Sequence, residues 1–280
     1  MSEKLSNHVV VIMAGGLGKR MKTDLPKVLH QINGKPMLAK IILESIKIKP
    51  KKILIVVGKY RPIIESTMEQ HVDSQLLNTY VKYIDQKEAL GTGNAIQSCY
   101  SEFLNYINDN VLILSGDVPL IQSKTMLEML KNVKKIRLMV TELENPSGYG
   151  RIVEFVERNQ TKFDKIVEEK DCNERQKSIR KINCGIYSFQ ISILHKYIYF
   201  ITNNNSQKEY YLTDIFEIVK NGEYVDIEML EIPKEQQKEI MGVNTPEQLK
   251  ELEKMEQLGT TFDSFMYQKD PDHSTNRAPI

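Results

Sequence analysis

Short apolar runs alternate with longer amphipathic stretches over most of this chain. Val9-Val10-Val11-Ile12-Met13 is rich in β-branched residues and ends in Ala14-Gly15-Gly16, which predicts a buried strand running into a tight turn. Runs of the same kind at 53–57 and 111–114 are flanked by Gly, Asn or Asp. Between them, Met37, Leu38, Ile41, Ile42, Ile46 and Ile48 fall close to one helical stripe, and 95–107 and 124–133 repeat that period. Strands alternating with helices of this length predict an α/β fold, with a mostly parallel sheet covered by helices on both faces.

The second half of the chain changes character. Residues 149–157 and 162–167 read as strands joined through Arg158-Asn159-Gln160, and 182–189 as a further strand. A helix is expected over 193–201, then the polar loop Asn203-Asn204-Asn205-Ser206, then a helix over 211–220 that stops at Asn221-Gly222. The last helix starts with Thr245 as N-cap, Pro246 in its first position and Gln248 completing a capping box. Beyond about Leu258 the periodicity ends, and 259–280 reads as a disordered tail. The expected organisation is one domain over 1–258, its halves meeting near 120. No internal repeat is present.

The composition narrows the function. A chain of 280 residues with 41% apolar content has enough material for one large α/β domain. Its 38 basic residues face 37 acidic ones, so neither nucleic acid nor an anionic membrane is expected as a partner. Cys99, Cys172 and Cys184 are odd in number and far apart, and the five histidines are scattered. That pattern argues against a disulfide framework or zinc site and for a reducing, cytoplasmic location. Neither a signal peptide nor a membrane span is legible.

Two segments carry candidate chemistry. In Met13-Ala-Gly-Gly-Leu-Gly-Lys-Arg-Met21, glycines at 15, 16 and 18 would let the backbone present successive N–H groups to an anion, with Lys19, Arg20 and Lys27 adding charge. The dinucleotide fingerprint is incomplete, because Met21 stands where its third glycine belongs, and no Walker lysine follows. On the glycines alone, a solvated strand-to-helix turn accounts for the segment equally well. In Leu114-Ser-Gly-Asp-Val-Pro-Leu120, Asp117 falls at the carboxyl edge of a strand, where ligands bind in parallel sheets. A single carboxylate there suits magnesium, which completes its shell with phosphate oxygens and water; capping of the next turn is the plainer alternative. Gln86 and Leu90-Gly91-Thr92-Gly93-Asn94 precede a helix and on their own read as a turn and cap.

Taken together, these segments resemble the sugar-nucleotide pyrophosphorylase family. The resemblance is closest to its N-acetylglucosamine-1-phosphate uridyltransferase branch, the domain that bacterial bifunctional enzymes join to an acetyltransferase β-helix. It spans roughly 8–256 and includes AGGLGKRM (14–21), DLPKVLH (24–30), EALGTGNA (88–95), GDVPLI (116–121), NPSGYGRIV (145–153), IVEEKD (166–171), INCGIYSF (182–189), NNNSQKEYYLTDI (203–215) and GVN (242–244). GYGRI, NNN and EYYLTDI are the segments more specific to that branch.

The resemblance implies a Rossmann-like, GT-A-like fold with a nucleotide half over about 8–120. A sugar-phosphate half with a small β lobe follows over 121–258. It also implies UTP and a sugar-1-phosphate as substrates and magnesium as cofactor. Met13, Ala14, Gly15 and Gly16 would meet the triphosphate, with Arg20 and Lys27 as catalytic cations near the pyrophosphate. Gln86, Gly91 and Thr92 would surround the uracil, and Asp117 and Asn244 would hold the metal. Gly150, Glu168, Asn183, Tyr210 and Thr213 would line the sugar-phosphate pocket. Three positions depart from the family pattern: Lys19 for Thr, Ser115 for Tyr and Cys184 for Thr. With no β-helix repeat, acetyl transfer and β-helix trimerisation are not expected, while another homo-oligomer stays open. The rival readings are the same chemistry on glucose-1-phosphate with UTP or dTTP, and a catalytically silent nucleotide-sugar binder.

Overall fold

A computed structural model describes residues 8–16 and 18–258, without the Lys19 and Leu258 side chains; the tail expected at 259–280 lies outside the described residues. The first half contains β1 (His8–Met13), a small hairpin of β2 (Gln31–Ile32) and β3 (Lys35–Pro36), α1 (Met37–Lys47), β4 (Ile53–Val57), α2 (Arg61–His71), α3 (Ser74–Tyr80) and β5 (Val81–Asp85). It continues with α4 (Thr92–Gln97), α5 (Tyr100–Phe103), β6 (Asn110–Ser115) and α6 (Ser123–Leu130). The second half adds β7 (Ile136–Glu142), β8 (Arg151–Glu157), β9 (Gln160–Val167), α7 (Glu174–Lys177) and β10 (Lys181–Gln190). It closes with α8 (Ile191–Tyr197), α9 (Asp214–Glu223), β11 (Glu228–Glu231) and α10 (Pro246–Leu258).

The main path of the sheet runs β11-β7-β10-β6-β1-β4-β5, with the β8–β9 hairpin branching from β10 at the Ile182–Arg151 pair. β1 pairs in parallel with β4 and β6, and β4 with β5, while β10 runs antiparallel between β6 and β7. This is the mixed, mostly parallel sheet expected from the sequence. Its alternating side chains fill two cores. Val10, Ile12, Ile53, Ile55, Leu112 and Leu114 pack against α1, α2 and α6 on one face. Val9, Val11, Leu54, Val56, Val111 and Ile113 join α4, α8 and α9 on the other. There Phe216 gathers the Phe163, Tyr187 and Phe189 rings at centroid distances of 6.0, 5.1 and 5.4 Å. From β1 the chain goes to β4 and β5 on one side and then to β6 on the other. The carboxyl end of β1 is therefore a topological switch point, where the backbone splays into a crevice.

A third core of Met21, Ile32, Met37, Leu120, Val243, Leu252 and Met255 clamps α10 onto the β2–β3 hairpin. The Asn33 backbone N–H donates to Glu253 Oε1 at 2.8 Å, and Lys40 pairs with Glu256 at 2.5 Å. This clamp carries the distant 242–244 segment to the crevice.

Among the predicted elements whose bounds differ, three have a physical reason in the structure. The helix expected over 95–107 starts at Thr92 and breaks at Ser98-Cys99, where the Ser98 hydroxyl donates to the Asn94 carbonyl at 3.1 Å. The helix expected over 211–220 starts at Asp214, because the backbone before it is pinned elsewhere: the Leu212 N–H donates to Thr92 Oγ1 at 3.0 Å. It also runs through Gly222 to Glu223, and Tyr224 takes the left-handed cap. Gly222 is no stop; a Cβ there would come within 2.7 Å of the Tyr197 hydroxyl, so the glycine makes room for that ring. At α10, Thr245 accepts from the Gln248 N–H at 3.3 Å, while the Gln248 side chain reaches one residue further back than expected, to the Asn244 N–H at 2.8 Å.

Candidate active site

A cleft of about 480 Å³ opens at the switch point. Of the residues predicted from sequence, Met13, Gly15, Gly16, Lys27, Gln86, Gly91, Thr92 and Asp117 line it; Ser115, Ala89 and Glu209 line it as well. Ala14 is buried just behind, its N–H donating to the Val56 carbonyl at 2.8 Å, which fixes the loop to the end of β4. At Gly15 a Cβ would lie 2.6 Å from Gln86 Oε1, so a larger residue there would have to displace the Gln86 amide. Gln86, buried in the floor, uses its amide N–H groups on Asn94 Oδ1 at 2.9 Å and the Gly91 carbonyl at 3.3 Å. One side chain therefore ties the glycine loop to the start of α4.

The charged groups meet at one end of the cleft. Ser115 Oγ donates to Asp117 Oδ1 at 2.6 Å, and the Lys27 ammonium is in salt-bridge contact with Asp117 Oδ2. Lys27 also donates to Asn244 Oδ1 at 3.1 Å, and Arg20 Nη2 donates to that same oxygen at 2.9 Å. The Val243 N–H donates to the Asp117 carbonyl at 2.9 Å, so the loop before α10 is sewn onto the end of β6. Arg20, Lys27, Asp117 and Asn244 thus form one network from four separate parts of the chain.

The remaining predicted residues group around β8, β9 and β10. Thr213 Oγ1 donates to Glu168 Oε1 at 2.8 Å. Gly150 lies beside Glu168 and Asn183, and its carbonyl accepts the Asn183 N–H at 2.9 Å. Asn183 Nδ2 donates to the Tyr187 hydroxyl at 2.7 Å. Burial raises the Glu168 carboxyl above its ordinary range against the opposing pull of the Thr213 bond, and Asp171 adds to the rise. Tyr210, three residues before Thr213, ties that stretch of chain to the start of α4 through its backbone: its N–H donates to the Leu90 carbonyl at 2.8 Å and its carbonyl accepts the Gly93 N–H at 2.7 Å. The Tyr210 ring packs against the core under α4. The hydroxyl of its neighbour Tyr211, which sequence reasoning did not single out, accepts from Gln207 at 2.8 Å.

Sequence reasoning also passed over Glu209 and Asn94 as individual residues, although both fall inside segments that carry the resemblance. It counted Ser115 as a departure without seeing that the hydroxyl grips Asp117. Cys184, another of the three departures, is buried, and burial pushes its thiol up.

Asp214 stands out electrostatically, pushed up to about 6 from 3.8 by burial first and then by Glu168, Glu217 and Asp171. An acid raised in the folded state adds stability that is full below its unfolded value and lost as pH rises through its folded value. Asp214→Asn is therefore expected to stabilise the fold at pH 7–8 by roughly 1 kcal/mol after allowing for solvent screening, which raises the melting temperature. The gain should fade below about pH 4. Melts at pH 4 and pH 8 check this; an equal gain at both would remove the electrostatic cause.

A glycine-rich backbone thus lies at a switch point, two cations and one carboxylate share a network there, and Glu168 with Thr213 forms a second polar cluster. Residues 10–171 match the model of the MobA-like NTP transferase domain, and the chain belongs to that family. A protein of Acanthamoeba polyphaga mimivirus named probable UDP-N-acetylglucosamine pyrophosphorylase is 42% identical over 250 residues, covering 87% of this chain and 94% of that protein. The bifunctional protein GlmU of Thermoanaerobacter pseudethanolicus is 39% identical over 251 residues, covering 88% of this chain. The chain spans about half of the bifunctional protein, 51% of its length. Among solved structures, UDP-glucose pyrophosphorylase complexed with UDP-glucose superposes with a TM-score of 0.68 at 17% identity, over 91% of this chain and all of that one. At that identity the likeness speaks for the fold.

Proposed function

We propose that this chain transfers the uridylyl group of UTP to N-acetylglucosamine-1-phosphate, forming UDP-N-acetylglucosamine and pyrophosphate. The observation that carries the reaction is the convergence of Arg20, Lys27, Asp117 and Asn244 at the end of a glycine-walled cleft. The choice of sugar is supported by the name of the mimiviral relative, which this chain matches over 94% of that protein's length. The free cysteines and the absence, among the described residues, of a helix able to cross a membrane support a cytoplasmic setting.

A phosphate monoester loses its second proton near pH ~6, so the attacking oxygen is largely ionised at neutral pH and no general base is required. The obstacle is bringing two anions together and stabilising the charge that moves onto the departing pyrophosphate. The Ala14 N–H is spent on Val56, so the N–H groups of Gly15 and Gly16 are the ones that can cradle the triphosphate, and Arg20 and Lys27 supply fixed positive charge beside it. Gln86, Gly91 and Thr92 form the wall for the base, while Gly150, Glu168, Asn183 and Thr213 face the sugar phosphate.

The residues present also fit magnesium. Asp117 Oδ2 and Asn244 Oδ1 already converge on a cationic group, the Lys27 ammonium, and both are hard oxygen donors. The described residues contain no cluster of three or more His, Cys, Asp or Glu able to enclose a metal, so substrate oxygens and water would complete the shell. Bound there, the ion would polarise phosphoryl oxygens as a Lewis acid.

Pyrophosphate release from UTP, magnesium and N-acetylglucosamine-1-phosphate, run beside glucose-1-phosphate and glucosamine-1-phosphate, tests the proposal. Release with the acetylated sugar alone is expected. Release with another sugar alone would move the substrate, and none at all from protein that binds UTP would leave a silent binder. Arg20→Ala and Lys27→Ala are each expected to lower kcat by about 10²-fold with a smaller change in KM. Wild-type turnover in both would remove the two cations from the chemistry.

A further inference from the structure

Arg151 is buried to 1% exposure, and neither nucleotide nor metal chemistry uses it. It begins β8 inside the Gly148-Tyr149-Gly150-Arg151-Ile152 segment. A buried guanidinium is costly unless its donors are used, so its partners bear on why it is there. Nη1 donates to the carbonyl of Tyr149, and Nη2 lies 2.7 Å from Glu169 Oε2. The ion pair is in contact but not aligned as a hydrogen bond, leaving Nε and Glu169 Oε2 with unspent hydrogen-bonding capacity. Arg151 and Val167 are paired across the β8–β9 ladder. The guanidinium therefore bridges the two strand ends that lead into Gly150 on one side and Glu168 on the other.

The consequence lies in the peptide joining Tyr149 to Gly150. In a trans peptide, C=O and N–H point in opposite directions. With the Tyr149 carbonyl drawn to Arg151, the Gly150 N–H is turned away from the guanidinium. Gly150 is itself buried, and its N–H has no hydrogen-bond partner among the described residues. A Cβ on Gly150 would sit 3.1 Å from Ile166 Cγ2, 3.4 Å from Glu168 Oε2 and 3.6 Å from the Asn183 Cβ. A buried, unspent N–H on a residue beside the Glu168 carboxylate is suited to an acceptor brought by a ligand.

We propose that Arg151 is a positioning residue of the sugar-phosphate pocket: it captures the Tyr149 carbonyl, anchors Glu169, and so keeps the Gly150 N–H and the Glu168 carboxylate facing one acceptor-bearing sugar. This deepens the uridylyl-transfer reading and rests on it. Lysine cannot replace the residue in this role, because one point-like ammonium does not reproduce a rigid fork that serves a carbonyl and a carboxylate together.

The test uses Arg151→Lys and, as a gentler disturbance, Glu169→Gln. Tyr149-Gly150 is the sole Tyr-Gly pair in the sequence, so ¹³C-carbonyl tyrosine with ¹⁵N-glycine labelling isolates one amide signal. In Arg151→Lys, KM for N-acetylglucosamine-1-phosphate is expected to rise about tenfold while UTP affinity by calorimetry stays within about twofold. Glu169→Gln should move KM the same way by less, and shift the Gly150 signal with no ligand present. Unchanged KM in Arg151→Lys, an equal loss of UTP affinity, or a Gly150 signal unmoved by Glu169→Gln would each overturn the assignment. The ligand-free signal reads the peptide whether or not pyrophosphate is released. Failure of the transfer reaction in the wild type is thereby told apart from failure of the role given to Arg151.

Discussion

Asp117→Asn should leave a folded protein whose magnesium-dependent turnover is lower by about 10³-fold, roughly 4 kcal/mol in the barrier. The substitution is nearly isosteric, so packing gives no reason for a loss. Ser115 can still donate to the remaining oxygen, and the backbone bond from the Val243 N–H to the carbonyl of residue 117 does not involve the side chain. What disappears is the negative charge on which Lys27 and the proposed metal depend. The expected signature is a fall in kcat that raising magnesium does not restore, with a melting curve close to wild type. Asp117→Ala should behave alike with a slightly larger loss, since Ser115 then loses its acceptor. Activity retained in both variants, with an unchanged magnesium dependence, would place the metal elsewhere.

The elements legible in the sequence were those whose side chains face one environment. β1, β4 and β6 are buried along nearly their whole length, so their Val and Ile runs announced themselves. β5, at the sheet edge, has the pattern Val-Lys-Tyr-Ile-Asp with partly exposed positions throughout, and gave no comparable signal. α2 carries buried Ile64 and Met68 on an otherwise polar surface, too narrow a stripe to stand out. Within the site, Asp117 was readable because a carboxylate after a buried strand of a parallel sheet falls at the binding edge. Asn244 was not readable from spacing, since its approach to Arg20 and Lys27 depends on the α10 clamp onto the β2–β3 hairpin. The resemblance supplied it, and the geometry shows what holds it there. Arg151 illustrates the converse: it lay in plain view within GYGRI, but an arginine in a sequence gives no sign of being 1% exposed.

The largest structural effect is expected from Gly91→Ala. Gly91 has φ +110° and ψ 177°, a backbone region almost confined to glycine. An added Cβ would sit 2.6 Å from the Tyr210 carbonyl oxygen, 2.9 Å from the Tyr210 nitrogen and 3.0 Å from the Glu209 Cβ. These atoms cannot retreat freely, because the Tyr210 carbonyl already accepts the Gly93 N–H and its N–H donates to Leu90. Backbone strain and the forced displacement together should cost about 3 kcal/mol, lowering the melting temperature by about 6–12 °C. The functional loss should be double. Residues 205–213 connect the two proposed subsites, with Leu212 held by Thr92 on the proposed nucleotide side and Thr213 holding Glu168 on the proposed sugar side. Displacing Tyr210 should therefore weaken UTP and sugar-phosphate binding together, unlike the selective effect expected at Arg151. Gly16→Ala is the matched control: a Cβ there meets nothing within 4 Å, so its stability should stay within about 0.5 kcal/mol of wild type. A Gly91→Ala protein that melts with the wild type and binds both substrates normally would show that the contact between 91 and 210 does not constrain the site.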